Sequence, residues 1–408
     1  MPKPPVRVVA FTPPTGRPFG TDCILNTEIK FLSDAYNDND DIIQRWGLAL
    51  KKINIAGTYL ARNFPSDPSS TLKLFVGPEW LFRKKNIKQT DAQIESKKNT
   101  PLKYAPPYAQ DDVIKLLKQI IKDSQLTPYN SWLIIPGTIY WGKKGAKGKK
   151  WDTYNVAPVV YNGQLLSLVH KQKEADKWDA HEDWGNGQGN DNILLAKALE
   201  SSANIVKQLS LDIKQVDTRG LFECENIRFA LEICGDHLSS GGGRLFKELK
   251  NELSPQLKTR LNVGFDDSGF LTNLNDTNDA IPIFNETLRD IQLLVSCGSK
   301  PAPSGNVTRI GGYFINADGS VSERTAARSS IPDRMYGSLQ GITNLISRRG
   351  MGNKYFPTIA ASDELSQRTL IPANSTDVYQ RLTIYNALLD LNSGPVSSSV
   401  TETVSTTP

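Results

Sequence analysis

The sequence predicts an α/β fold, on three observations. Short apolar runs rich in Val, Ile and Leu alternate along the chain with longer stretches whose apolar residues recur at helical spacing. Several short runs stop abruptly at Gly or Pro, the pattern of buried strands closed by turns. Composition does not break before Asn392, so one unit is expected over residues 1–392. The remainder, SGPVSSSVTETVSTTP (393–408), is a Ser/Thr-rich tail too poor in apolar residues to bury a core, and is expected to be disordered.

The elements follow in order. VRVVAF (6–11) reads as a first strand, apolar apart from Arg7 and closed by Pro13 and Pro14. Ile42, Ile43, Trp46, Leu48, Leu50, Ile53 and Ile55 predict a helix over Asp40–Arg62. LKLFVGPEW (72–80) is a strand ended by Gly77-Pro78, with Glu79 just beyond. A lysine-rich loop over 83–107 leads to a helix over Asp111–Lys122, with Asp111 or Asp112 as its cap. WLIIPGT (132–138) is another short buried strand. In TYNVAPVVYNGQLLSLVHK (153–171), Asn162-Gly163 between two apolar arms is the strongest hairpin signal of the chain.

Ile193–Leu211 reads as a helix, FECENIRFALEIC (222–234) as a hairpin-like segment ending at Cys234, and Arg244–Leu253 as the next helix. DIQLLVSCGS (290–299) is a strand, GGYFINADGSV (311–321) a hairpin turning at Asp318-Gly319, and Val378–Leu391 a final amphipathic helix. Residues 84–110 and 254–285 read as long loops that shape a pocket.

Composition narrows the function classes. With 408 residues, 38% hydrophobic and 22% charged, the chain has the makings of a sizeable core. A net charge of +5 is small for this length. The densest basic run, KKGAKGKK (143–150), lacks interleaved aromatics and reads as a solvated hairpin loop, which argues against a nucleic-acid partner. No run is long and apolar enough to span a membrane, and MPKPPVRVVAFTPP lacks the apolar centre of a signal peptide. Four cysteines in such a chain do not make a disulfide scaffold, so a reducing, cytoplasmic setting is expected.

Three strand ends carry the chemistry. Glu79, Lys171 and Cys234 each close an apolar, β-rich run: LFVGPE, LLSLVHK and FALEIC. In α/β architectures residues just past strand ends gather at one rim, where ligands bind. A thiolate is a nucleophile, a neighbouring carboxylate takes the thiol proton, and an ammonium stabilises the oxyanion that follows. The backbone N–H of Gly235 is a second oxyanion donor, and Asp236 and His237, immediately beyond, are expected to line the substrate site with it.

With these motifs in this order the chain resembles the nitrilase, or carbon–nitrogen hydrolase, superfamily. Pro78-Glu79 resembles its glutamate motif, Gly163–Lys171 its glycine-to-lysine hairpin arm and Ile233-Cys234-Gly235-Asp236 its cysteine motif. RVVAF, DIQLLVSCGS and YFINADGS are similar to family elements in the expected order, so the resemblance spans most of residues 5–325. It implies a nitrilase-like four-layer α-β-β-α sandwich and hydrolysis of an amide, nitrile or carbamoyl compound through a cysteine thioester, without metal or organic cofactor. An amide is the favoured substrate. Glu79 is then the general base, Lys171 the oxyanion stabiliser and Cys234 the nucleophile.

Family members often carry a second carboxylate after the lysine. Glu174, Asp179 and Glu182 are the candidates, with Glu182 preferred, and Trp80, Trp178 and Trp184 are candidate pocket aromatics. An arginine frequent after the family's cysteine motif is missing from DHLSSGGG. The resemblance also implies a homo-oligomer, with a dimer as the default.

Simpler readings compete. A free cysteine most often only packs, and Cys23, Cys224 and Cys297 are read that way. Lys171 taken alone is a solvated hairpin lysine, and Lys173 shares its strand face, so periodicity does not separate the two. Glu79 taken alone is an acid at a helix start. His170, His181 and His237 with Cys234 raise a zinc site, but no pair has the spacing of a zinc motif. A papain-like enzyme would use His170 or His181 as base, without the usual sequence around its cysteine. A non-catalytic or redox-sensing thiol protein is the remaining alternative.

Overall fold

A computed structural model describes residues 2–12, 41–83, 107–144, 151–171, 191–238, 244–262, 264–265, 271–272, 281–296, 306–319, 344–351, 357–360, 368–370 and 382–392. It is a mixed α/β structure with two main sheets. In chain order the elements are β1 (Val6–Phe11), α1 (Asp41–Asn63), β2 (Leu72–Val76), α2 (Gln110–Ser124), β3 (Trp132–Ile135), β4 (Ile139–Lys144), β5 (Trp151–Tyr161) and β6 (Gln164–His170). There follow α3 (Asp191–Gln208), β7 (Leu221–Cys224), β8 (Ile227–Ile233), a 3-10 turn (Cys234–Leu238) and α4 (Arg244–Leu261). The chain continues through β9 (Gly264–Phe265), β10 (Leu271–Thr272), α5 (Ile281–Thr287), β11 (Arg289–Ser296) and β12 (Thr308–Asp318). β13 (Asn344–Met351), β14 (Pro357–Ala360), β15 (Arg368–Leu370) and β16 (Leu382–Leu389) complete it.

The larger sheet runs β15-β16-β1-β2-β3-β5-β4, with β6 beside β5; the smaller runs β14-β13-β12-β11-β8-β7. Each has three adjacent parallel strands, β1, β2 and β3 in one and β8, β11 and β12 in the other. Their apolar residues are buried because both faces of each sheet are covered, while Glu232, Gln292 and Asn316 are polar groups buried in the smaller sheet. Val9, Phe11, Phe75 and Ile134 share a core with Trp46 of α1, Leu117 of α2 and Ile205 of α3. The alternate residues Val8, Leu74, Val76 and Leu133 share a second core with Leu231, Ile233, Leu293 and Val295 of the other sheet. Leu221 and Ala230 share a third with α4 and α5.

Most expected elements are present. The Asn162-Gly163 turn joins β5 to β6 with Tyr161 opposite Gln164, and both residues adopt positive φ (44° and 76°). β4 and β5 pair antiparallel as far as Lys144 and Trp151, and residues 145–150 of KKGAKGKK lie outside the described residues.

Several expectations are corrected. Helix α2 begins at Gln110, and Asp112 works from its first turn, where its carboxylate accepts the Ala109 N–H (2.9 Å). Asp318-Gly319 does not turn a tight hairpin, because Asn316 already lies between Leu294 of β11 and Asn344 of β13. The expected helix over 378–391 is strand β16. Leu382 and Ile384 face the helix-side core while Tyr385 and Leu389 face the core between the sheets, a period of two that pairing with β1 rewards. The loop expected over 254–285 is helical at both ends, since α4 runs through Pro255 to Leu261 and α5 begins at Ile281. An interior proline costs a helix about 3 kcal/mol, against roughly 1.5–3 kcal/mol for each fully buried leucine. Leu245, Leu249, Leu253 and Leu257 are all fully buried, so the helix carries through.

Among the described residues no helix is long and apolar enough to cross a membrane. Of the expected loop 84–110, residues 84–106 lie outside the described residues, as does the tail 393–408.

Candidate active site

The Glu79 turn is built by two crossing dipeptides. Gly77-Pro78 follows β2 and Pro136-Gly137 follows β3, and a Cβ on Gly77 would lie 2.2 Å from the Pro136 carbonyl oxygen. A Cβ on Gly137, which has φ 111°, would lie 2.4 Å from the Pro78 oxygen, so both glycines are dictated by backbone approach. Thr138 then binds the turn: its N–H donates to the Pro78 carbonyl (3.2 Å) and its hydroxyl accepts the Trp80 N–H (2.7 Å). From α1, buried Arg45 donates to the Leu81 carbonyl (2.9 Å). Trp80 adopts φ 64°, and its ring receives Arg83 at 5.1 Å and the Lys171 ammonium at 5.8 Å.

Glu79 is fully buried and paired. Lys171, one residue past β6, places Nζ 2.8 Å from Glu79 Oε1, with side-chain exposures of 3% and 0%. The same oxygen accepts Asn155 Nδ2 at 2.7 Å, and the Lys171 N–H donates to the Asn155 carbonyl (2.9 Å). Asn155 of β5 thus fixes both partners. Sequence reading missed it, although a lone amide between Tyr154 and Val156 was the available signal. Removing one member of such a buried pair strands the other charge at a cost of about 3–5 kcal/mol.

The cysteine strand end lies on the other sheet at the same rim. Ile233 of β8 pairs with Val295 of β11, and the next residue of β11, Ser296, accepts the Glu79 N–H (3.3 Å) and the Gly319 N–H (3.0 Å) on its carbonyl. One carbonyl therefore joins the ends of β2, β11 and β12 beside the end of β8. Cys234 is part-exposed and adopts φ 46°, a left-handed conformation that costs a non-glycine residue on the order of 1–3 kcal/mol and collects at functional sites. Cys224, by contrast, is buried, and burial pushes its thiol well up.

Gly235 is buried in the 3-10 turn after Cys234. Asp236 and His237, expected at the substrate-facing rim, are instead engaged within the protein. His237 Nδ1 lies 2.8 Å from Glu232 Oε2, and Asp236 Oδ2 lies 3.9 Å from Arg244 Nε. Both side chains are fully buried. Arg244 is a residue that sequence reading missed. It stands one position beyond DHLSSGGG, and folding of α4 returns it to the cysteine turn. Glu174, Asp179, His181, Glu182, Lys173, Trp178, Trp184, Cys23 and Cys297 lie outside the described residues. Among the described residues no group of three or more His, Cys, Asp or Glu side chains is placed to hold a metal ion.

No protein-family model matches the chain, and no curated protein sequence does. Similar solved structures include a glutamine-dependent NAD(+) synthetase from Cytophaga hutchinsonii, 12% identical, with 78% of this chain and 36% of that one covered and a TM-score of 0.28. The corresponding synthetase from Acinetobacter baumannii is 13% identical over 71% of this chain and 32% of that one, with a TM-score of 0.26. A mutant of the amidase from Nesterenkonia sp. AN1, in complex with butyramide, is 7% identical over 78% and 77%, with a TM-score of 0.27. The chain spans about a third of the length of each synthetase. Likeness of this degree fixes neither the fold nor the activity.

Proposed function

We propose that the chain is a hydrolase that cuts a non-peptide carbon–nitrogen bond, an amide by preference, on a nitrilase-like four-layer α-β-β-α arrangement. Cys234 is the nucleophile, Glu79 the general base and Lys171 the oxyanion stabiliser. The observation that carries this reading is the buried Lys171–Glu79 pair, tied through the Ser296 carbonyl to the rim on which left-handed Cys234 stands. A lysine and a carboxylate cost several kcal/mol each to desolvate, so their burial at strand ends points to charge held for chemistry.

In the proposed cycle Glu79 takes the thiol proton as Sγ bonds to the amide carbon. Lys171 and the Gly235 N–H hold the developing oxyanion. The carbon–nitrogen bond breaks, the departing amine takes the proton from Glu79, and a thioester remains. Water gives a proton to Glu79 and attacks the thioester; the carbon–sulfur bond breaks and the thiol regains its proton. No cofactor enters the cycle. Glu182 remains the proposed second carboxylate.

Ammonia release screened over small amides, nitriles and carbamoyl compounds tests the reading. A slow substrate should leave one acyl group on the peptide containing Cys234, and Cys234→Ala should abolish both adduct and turnover. Turnover that survives in Cys234→Ala, or an adduct on another residue, sinks the mechanism. A redox-sensing thiol would release no ammonia from any of them.

A further inference from the structure

The cysteine turn is anchored by a carboxylate that the proposed cycle does not use. Glu232 lies on β8 two residues before Cys234 and is fully buried. Its Oε1 accepts the Leu245 N–H at the start of α4 (3.1 Å). Its Oε2 accepts Gln292 Nε2 of β11 (3.0 Å) and lies 2.8 Å from His237 Nδ1. One carboxylate thus ties the turn, the neighbouring strand and the following helix. Desolvation pushes its pKa up, but the His237 contact, the nearby Arg244 charge and the Leu245 N–H together hold it below the usual carboxylate range. His237 stands at the far side of the turn that Cys234 opens, fully buried, with its ring 5.3 Å from that of Phe314.

We propose that Glu232 is a positioning residue, which through His237 holds the Cys234–Leu238 turn so that the left-handed cysteine keeps its reactive placement. A cysteine with φ 46° needs surroundings that over-determine its backbone. Cys234 is bonded to β8 on one side, and the His237–Glu232 contact closes the turn back onto the same strand. Losing that contact lets the turn relax, and a displacement of about 1 Å at a reacting atom costs up to roughly 100-fold in rate.

This inference rests on Cys234 being the proposed nucleophile, so the test reads the thiol itself. The full-length protein is treated with iodoacetamide, and alkylation of Cys234 and Cys224 is followed separately by peptide mass. Wild-type Cys234 should react much faster than buried Cys224; equal rates would overturn the nucleophile reading. Glu232→Gln keeps the shape and loses the charge, and should slow Cys234 by about tenfold or more while Cys224 is unchanged. An unchanged or faster Cys234 rate in that variant, beside a reactive wild type, would overturn the positioning role alone.

Should Glu232→Gln unfold, seen as a rise in Cys224 labelling, two variants of the partner carry the test. His237→Asn presents a donor where Nδ1 stood and should stay within about threefold of wild type, whereas His237→Leu should lose about tenfold. Equal rates in these two would refute the proposal.

Discussion

Two buried histidines flank the proposed chemistry, and their surroundings are opposite. His170 precedes Lys171 and is 2% exposed; His237 follows Cys234 by three positions and is 1% exposed. His237 meets the Glu232 carboxylate at 2.8 Å. Neither ring nitrogen of His170 has a hydrogen-bond partner among the described residues, and its ring meets Tyr154 edge-on at 6.1 Å. Desolvation alone drives its pKa down to about 3. Equal burial therefore gives one histidine tied into a polar network and one held neutral beside the Tyr154 ring. Among the described residues neither ring nitrogen of His170 meets a thiol within hydrogen-bond distance, so the structure does not pair it with a cysteine as the papain-like alternative requires. Burial by itself says little about a titratable side chain; its partner decides what it does.

The comparison can be broken in graded ways. The largest effect is expected at the lysine beside the unpartnered histidine. Lys171→Met leaves the Glu79 carboxylate buried without its ammonium, and should lower unfolding free energy by about 3–5 kcal/mol, read by urea denaturation, while abolishing turnover. Full turnover in this variant would discard the oxyanion role.

The pH profile of stability comes next. His170 is neutral in the fold down to a pH of about 3, whereas in the unfolded chain it takes up a proton near the ordinary histidine value of about 6.5. Its folded pKa is depressed, so the unfolded state binds the extra proton and stability falls as pH falls between those limits, by up to about 1.4 kcal/mol per pH unit. His170→Phe should flatten that part of the profile. Glu232 differs in window. Its folded pKa is also depressed, so its contribution is present above the ordinary carboxylate value of about 4.3 and is lost as pH falls through the folded value. A slope beginning only below pH 4.3 in the wild type would contradict the His170 environment.

The smallest effect is His170→Phe at neutral pH. No hydrogen bond is lost, and the apolar ring removes two nitrogens that burial leaves without partners, so the thermal midpoint should hold or rise. A drop larger than about 1.5 kcal/mol would show that the imidazole makes a contact worth a normal hydrogen bond.

How far the sequence reached depends on the range of each interaction. The turns before Glu79 and at Asn162-Gly163 were legible because backbone approach and positive φ demand glycine locally. The strand ends at Lys171 and Cys234 were legible because β6 and β8 are largely apolar runs that then stop. Asn155 was not, since it meets Glu79 76 residues away in sequence, and Arg244 was not, since it nears Asp236 only once α4 has packed beside the cysteine turn. Val378–Leu391 was misread because its apolar spacing satisfies a helix as well as a strand, and only β1 and β15 on either side of β16 settle the matter.

By itself, then, the amino-acid order determined the α/β class, the positions of most elements and the three side chains placed at strand ends. These follow from periodicity, turn stereochemistry and apolar content, which act over a few residues. Tertiary structure alone decided that Lys171 meets Glu79 and shares Asn155 with it, that α4 continues through Pro255, and that His237 meets a carboxylate while His170 meets Tyr154. Those outcomes depend on which polar group finds a partner once water is excluded, and that partner lies tens of residues away along the chain or on another element.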